Sequence, residues 1–375
     1  MRSVRETSSQ KSSMKPESPN KMSKPFFSFI IPCCDVAPYV RECLDSVLAQ
    51  SEQDWECIIG VETSKDDTEE IVREYTLKDP RFKMFTAERS GSCSASRNTG
   101  TDMATGEYVI FLDGDDLIAD GSLKRIRDKI EFRPGADLYP AAIVVCDGEA
   151  KPTGEIRDNY PERFEKEMTG PEATVLLEKL FEKSFPCPML QLTVFRREFL
   201  VENNLKCIYG LRHQDSEFSP RALYLAKRVI PIHEPFYLYR IRENSVQTKI
   251  KAPGSFHKDL AIRLKSLIDF HAAKSREPGF DKRISKAWAR RWTGTIFKMW
   301  FAPASVAAVP EALRRETLEI IFADGTDNFK TLLSSARLPS RIAGRWVLKS
   351  LSSPAAAQKT ARLFKTLYFP LLSKL

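Results

Sequence analysis

At 375 residues the chain has room for one large or two ordinary domains with real cores, and 42% hydrophobic against 29% charged residues is a globular composition. The formal charge of +8 is unevenly divided, with about −10 over residues 25 to 250, about +14 over 251 to 375 and about +4 over the first 24. An acidic body argues against nucleic acid lying across the main domain, and 8 cysteines without CxxC or Cys/His spacing exclude a zinc framework and read as reduced core residues.

No apolar run approaches the length of a membrane span and the amino terminus has no apolar signal region, so the cytosol is the expected compartment. Residues 1–24, rich in Ser, Lys, Pro and Glu, are expected to be a disordered basic leader. Phe26–Cys33 reads as a first strand, with Asp35 as the cap of the next helix, Pro38 in its first turn, and Val40, Cys43, Leu44, Val47 and Leu48 as its apolar stripe. Trp55–Val61 is a second strand ending at Glu62. Asp66 and Glu69 then suggest a capping box. Phe82–Thr86 is a shorter strand, and the segment holding Arg97 and Asn98 runs to a glycine stop at Gly106.

Tyr108–Leu112 is an apolar run without helical period, a buried strand that stops in Asp113-Gly114-Asp115-Asp116. Asp120 is placed as the cap of a helix bearing Leu123, Ile126 and Ile130, and Ala141–Val145 is a further strand. Residues 147–170 read as an insertion or flexible loop able to lie over a crevice. Beyond it come a helix over Pro171–Lys183, a strand over Leu192–Phe195, a short helix over Arg197–Asn203, a loop Gly210–Glu217 entering another helix, and a strand over Phe236–Ile241.

From about 255 the pattern is helical, with Trp288, Trp292, Ile296 and Trp300 recurring every fourth residue. After Asp327 no acid occurs, and Arg341, Arg345 and Lys349 fall on one helical face opposite Ile342, Trp346 and Leu351. That arrangement suits an anionic membrane surface, with Leu363, Phe364, Leu367 and Tyr368 extending the apolar side. The alternative is an ordinary helical subdomain whose stripe packs on the core or on a second subunit, as in a homodimer.

Strand and helix alternation predicts an α/β fold with a mostly parallel central sheet, whose ligands collect at the carboxyl ends of its strands. Cys34-Asp35, Glu62 and Asp113-Gly114-Asp115 all follow such ends and should converge on one crevice. Acids two apart offer hard oxygens to a divalent cation that also holds a diphosphate. These residues alone leave a nucleotide site, a metal site and a solvated turn open.

Phe29-Ile30-Ile31-Pro32-Cys33-Cys34-Asp35, Ser94-Ala95-Ser96-Arg97-Asn98-Thr99-Gly100 and Phe111-Leu112-Asp113-Gly114-Asp115-Asp116, in order and spacing, resemble the inverting family 2 glycosyltransferases of GT-A fold. The resemblance covers about residues 26 to 245 and implies transfer of one sugar from a nucleotide-diphosphate sugar, by resemblance a UDP-sugar, to a glycan or lipid-linked glycan. It implies nucleotide contacts at Pro32, Cys34, Glu62, Arg97, Asp113, Gly114, Arg240 and Ser245, and Mn²⁺ or Mg²⁺ on Asp113 and Asp115. The segment His213-Gln214-Asp215-Ser216-Glu217-Phe218 is similar to the family's base-bearing stretch, which makes Asp215 the general base, with Glu217 as the fallback and His213 in a local structural role.

The chain departs from the family pattern in three places. Cys34-Asp35 replaces a Tyr-Asn pair, Val61-Glu62-Thr63-Ser64 replaces Asp-Asp-Gly-Ser, and Gln214 replaces an acid. The Gln-x-x-Arg-Trp motif of processive members is absent, so single additions are expected. Two rival readings are a catalytically silent scaffold of the same fold docked at the membrane and a metal-dependent nucleotidyl- or phosphotransferase.

Overall fold

The computed structural model describes residues 24–160, 166–180, 189–242, 253–301, 309–334, 336 and 338–351. Strands β1 (Phe27–Cys33), β2 (Trp55–Glu62), β3 (Phe82–Ala87) and β4 (Tyr108–Phe111) run parallel in the order β3-β2-β1-β4. Helices α1 (Ala37–Leu48), α2 (Thr68–Lys78) and α3 (Ser94–Met103) are their connections. β5 (Leu117–Ile118), α4 (Ser122–Phe132), β6 (Leu138–Pro140), β7 (Ala142–Cys146), β8 (Pro152–Asp158), α5 (Gly170–Leu180), β9 (Thr193–Arg196), α6 (Arg197–Glu202), α7 (Asp215–Leu225) and β10 (Pro235–Arg240) follow. β9 lies antiparallel to both β4 and β6, with β6 at the edge of the main sheet, while β5, β10, β7 and β8 form a second sheet in that order.

Every residue of β1 and β2 is buried, as expected of parallel strands covered on both faces. Their side chains alternate between two cores. Phe27, Phe29, Ile31, Cys57 and Ile59 pack with Val40, Cys43, Leu44 and Val47 of α1, and Ile30 and Ile58 pack on the opposite side with Phe111, Phe195 and Phe218. The mostly parallel sheet therefore follows from the apolar runs.

Local capping differs from the sequence expectation at three helices. Val36, not Asp35, precedes α1, and the free N–H groups of Val36 and Ala37 donate to Thr68 Oγ1 (2.9 Å) and Asp66 Oδ2 (3.0 Å), across a gap of about thirty residues. Asp66 also accepts from the Thr68 N–H at 3.2 Å, whereas Glu69 pairs with Arg73, so no capping box forms. Asp120 is exposed, and Gly121, in the left-handed region, precedes α4. The stretch expected as a loop over 147–170 contains β8, an exposed edge strand antiparallel to β7, and residues 161–165 lie outside the described residues. The acidic loop at 210–217 already enters α7 at Asp215.

Helices α8 (Pro253–Lys274) and α9 (Lys282–Phe301), with Glu311–Ile321, Asp327–Ser334 and Leu338–Ser350, enclose a further core. Trp288, Trp292 and Ile296 lie inside it, the two indoles stacked 4.8 Å apart, and Tyr224 of α7 meets the Trp288 ring at 5.7 Å. The stripe is thus covered from within the chain, which removes the reason for expecting a second subunit there; the Trp300 side chain lies outside what is described. Ala343 and Val347 are buried and Trp346 packs on the same core, so the apolar side of Leu338–Ser350 is turned inward rather than toward lipid. Leu363, Phe364, Leu367 and Tyr368 lie outside the described residues, as do 1–23. Trp288→Ala is expected to lower the unfolding free energy by about 3–5 kcal/mol, read from denaturant titration by far-UV circular dichroism.

Candidate active site

Because β1, β2 and β4 are parallel, their carboxyl ends place Cys34, Glu62 and Asp113 along one sheet edge. Gly114 is required there by close approach. A Cβ on it would stand 2.8 Å from Cys33 Sγ and 3.2 Å from the Pro32 carbonyl oxygen, so the acidic turn can lie on the end of β1 only without a side chain at 114. Cys33 is buried beneath it, and burial pushes its thiol well above the ordinary range; the part-exposed Cys34 is also raised, chiefly by burial. Neither thiol is set up as a nucleophile. The described cysteines are all free.

Asp113 is held by three groups. Arg97 Nη2 donates to Oδ1 at 2.5 Å, Gln191 Nε2 to Oδ2 at 2.7 Å, and the Asp113 N–H donates to Tyr237 Oη at 3.1 Å. Tyr237 in turn donates to Asp116 Oδ2 at 2.6 Å, and Asp116 also accepts from the Arg240 N–H at 2.8 Å. Asp116 is buried and faces inward, so it ties the acidic turn to β10; burial, then the charge of Asp115, raises its pKa well above the usual value. Asp115 accepts from Arg242 Nε at 2.6 Å, and burial and the neighbouring Asp113 raise its pKa against the pull of Arg242.

Arg97, only 4% exposed, reaches in two directions. Its Nη2 meets Asp113, and its Nη1 donates at 2.5 Å to the side-chain oxygen of Gln214, whose amide nitrogen donates to the Leu211 carbonyl at 3.0 Å. The guanidinium thereby joins the sheet edge to the start of α7, where Asp215 stands. Burial raises the Asp215 pKa, opposed by Arg97, the Ser216 N–H, His213 and Arg263. His213 sits in the left-handed region, and burial lowers its pKa. Glu217 is fully buried, paired with Arg221 at 2.6 Å and accepting from Ser266 Oγ at 2.6 Å. Its carboxylate is committed to this buried ion pair, so it is not free to serve as the fallback base in this arrangement.

Glu62 is anchored from the loop after β3, accepting from the Ser90 N–H at 3.1 Å and Ser90 Oγ at 2.8 Å. Asp35, also in the left-handed region, pairs with Arg89 and accepts from the Lys65 N–H at 2.8 Å. Arg240 is committed to Glu42, at 2.5 Å, and lies over the Tyr39 ring at 5.0 Å, so its side chain is not the one on the acidic pair. Arg242, two residues on, meets Asp115 and shares the same ring at 5.1 Å. The Arg240-x-Arg242 spacing puts both residues on one side of an extended segment, a signal that was there to be read. Gln191 had none: it is a lone polar residue in the short helical turn Leu190–Leu192. Ser245 lies outside the described residues.

Asp113 and Asp115 fit a divalent cation. They are part-exposed carboxylates two apart, and their mutual repulsion contributes to the raised pKa of Asp115. Among the described residues no three His, Cys, Asp or Glu side chains form a complete metal cage, so further ligands would have to come from a bound diphosphate.

A family model described as glycosyl transferase family 2 matches residues 28–198. The uncharacterized glycosyltransferase EpsJ of Bacillus subtilis is 30% identical over 250 residues, which cover 66% of this chain and 70% of EpsJ. The chain belongs to glycosyl transferase family 2. It is a glycosyltransferase, and neither the silent scaffold nor the nucleotidyltransferase reading gains support. The poly(ribitol-phosphate) beta-N-acetylglucosaminyltransferase TarS of Staphylococcus aureus is 25% identical over 337 residues, which cover 83% of this chain and 56% of TarS. The crystal structure of TarS 1–349 in complex with UDP-GlcNAc superposes with a TM-score of 0.66 at 17% identity, covering 90% of this chain and 91% of that one. This likeness establishes the GT-A fold for the glycosyltransferase.

In this enzyme Tyr237→Phe removes the hydroxyl that joins the Asp113 N–H to Asp116. It is expected to cost about 1–3 kcal/mol of folding stability, measured by urea unfolding, because it leaves two buried groups short of a partner.

Proposed function

We propose that the protein is a metal-dependent inverting transferase that moves one sugar from a UDP-sugar to a hydroxyl of a glycan or lipid-linked glycan in cell-surface polymer synthesis. Residues 25–250 would form the transferase domain and 251–375 a basic helical region. The observation that carries this reading is the Arg97 bridge, which joins Asp113 of the acidic pair to Gln214, the residue before Asp215. The UDP-sugar and the surface polymer are supported by TarS, a relative named for transferring N-acetylglucosamine to poly(ribitol phosphate) and solved with UDP-GlcNAc.

In this proposal Asp215 accepts the proton of the attacking hydroxyl while the nucleoside diphosphate departs on the opposite side, and one displacement inverts the anomeric centre. Glu62, fixed by Ser90, accepts from the imide N–H of the base, with Pro32 and Cys34 beside it. Arg97 orients Asp113 and adds positive charge near the diphosphate, and Gly114 lets the acidic turn approach the nucleotide. Asp113 and Asp115 hold Mn²⁺ or Mg²⁺, which when bound would offset the negative charge building on the leaving group. Arg240 keeps α1 and β10 together below the diphosphate, and Ser245 is retained as a contact.

Asp215→Asn is expected to lose about 10²–10⁴-fold in turnover, in assays over a panel of nucleotide sugars with product detection, while UDP affinity by calorimetry is kept. Because burial raises its pKa, the acid limb of kcat should fall above the ordinary aspartate range of about 3.9. A raised carboxyl contributes stability below its unfolded pKa and loses it as pH rises through the folded pKa, so the asparagine variant should be no less stable than wild type at pH 7. Full activity in Asp215→Asn would remove the residue from the mechanism.

The reduced thiols suit a cytoplasmic enzyme, and no helix among the described residues is long and apolar enough to cross a membrane. The exposed Arg341, Arg345 and Lys349 supply a basic face that would meet anionic lipid by charge, without insertion. Cosedimentation with anionic liposomes should weaken as salt rises. Equal binding by a variant with these three residues changed to Gln would remove that face from the proposal.

A further inference from the structure

Helix α8 belongs to the helical region beyond the sheets, yet one of its faces is spent on the turn that carries Asp215. Asp259 Oδ2 accepts from Arg212 Nε at 2.6 Å, Arg263 Nη1 donates to Ser216 Oγ at 2.5 Å, and Ser266 Oγ donates to Glu217 Oε1 at 2.6 Å. Residues 259, 263 and 266 are spaced by four and three, one face of a helix, and they grip residues 212, 216 and 217 in the same order. The apolar residues Ala261, Leu264, Leu267 and Ile268 face the helical core. The helix therefore divides into an apolar side that builds its own region and a polar side directed at the neighbouring domain.

Arg263 is the central member. It is only 8% exposed, and among the described residues no carboxylate pairs with it directly: its Nε donates to the Asp259 backbone oxygen at 3.3 Å, and its Nη2 is buried without a hydrogen-bond partner among them. Burying a guanidinium on these terms is costly. Its charge acts on the Asp215 carboxylate, which also feels that of Arg97 on α3.

Accepting the reading of Asp215 as the base, we propose that Arg263 is a positioning residue for transfer, holding the first turn of α7 through Ser216 so that Asp215 faces the acceptor hydroxyl. Its charge also favours the ionised form of Asp215. The helical region is then part of the catalytic machinery, without itself touching the substrate.

The test is a double-mutant cycle in the full chain with Arg263→Met, Ser216→Ala and the pair, plus Arg263→Lys. Each variant is assayed for kcat, acceptor KM, UDP affinity by calorimetry and thermal midpoint. Arg263→Met is expected to lower kcat by about 10- to 100-fold with UDP affinity within about twofold of wild type, since a base misplaced by about an ångström loses catalysis and not donor binding. Ser216→Ala should lower kcat less, the two losses should not add, and Arg263→Lys should recover part of the rate. Wild-type kcat in a folded Arg263→Met, or strictly additive losses, would overturn the proposal. So would a fall in thermal midpoint with kcat unchanged, which would make Arg263 a structural residue only. If Asp215→Asn were fully active while Arg263→Met was slow, the reading of Asp215 would fail instead, which separates the two.

Discussion

One buried guanidinium holds the arrangement together. Arg97 comes from α3, packed between β1 and the turn before α7, and its two terminal nitrogens bind acceptors from parts of the chain more than a hundred residues apart. A charge so enclosed is tolerated only where acceptors are fixed around it, and this demand sets the rest of the site. Asp113 must present a carboxyl oxygen at the sheet edge, Gln214 must present its amide oxygen, and α3 must press close to β1. Gly100 answers the last demand, since a Cβ there would stand 2.5 Å from Ile30 Cγ2.

The acidic turn is built on the same logic of shared partners. Of the three aspartates in the run, two are left part-exposed at the crevice and one is turned inward as an anchor. The anchor reaches β10, a strand of the second sheet, so the position of Asp113 and Asp115 depends on residues of both sheets. Two arginines pair with the outer two, Arg97 with Asp113 and Arg242 with Asp115. Each outer carboxylate therefore has a cationic partner supplied by the chain itself.

The parts of the molecule set by hydrophobic pattern could be read before any coordinates. The runs Phe26–Cys33, Trp55–Val61 and Tyr108–Leu112 became β1, β2 and β4 nearly residue for residue, and their ends put Glu62 and Asp113 on one sheet edge. Features set by contacts distant in sequence were invisible. Asp35 and Asp120 have the chemistry of helix caps, but Asp66 and Thr68 serve the start of α1 from the far side of β2, and Gly121 precedes α4. β8 was missed because Pro152-Thr153-Gly154-Glu155 carries no apolar alternation: it is an exposed edge, held by β7 alone. The tail helix marks a different limit, since an amphipathic face does not say whether lipid or protein covers it, and here Phe329, Leu332 and Trp292 belong to the same core as Val347.

Helix α7 is a beam shared by two buildings. Near its start Phe218 sits edge-on to Phe111 and Phe195 under the main sheet, and toward its end Tyr224 is wedged among Phe270, Phe280 and Trp288 of the helical region. Melting of either core would disturb the other through this segment and through the ion pair of Glu178 on α5 with Arg291 on α9. Removal of the trailing helices would strip Tyr224 of all three of these aromatic neighbours and leave the end of α7 facing water.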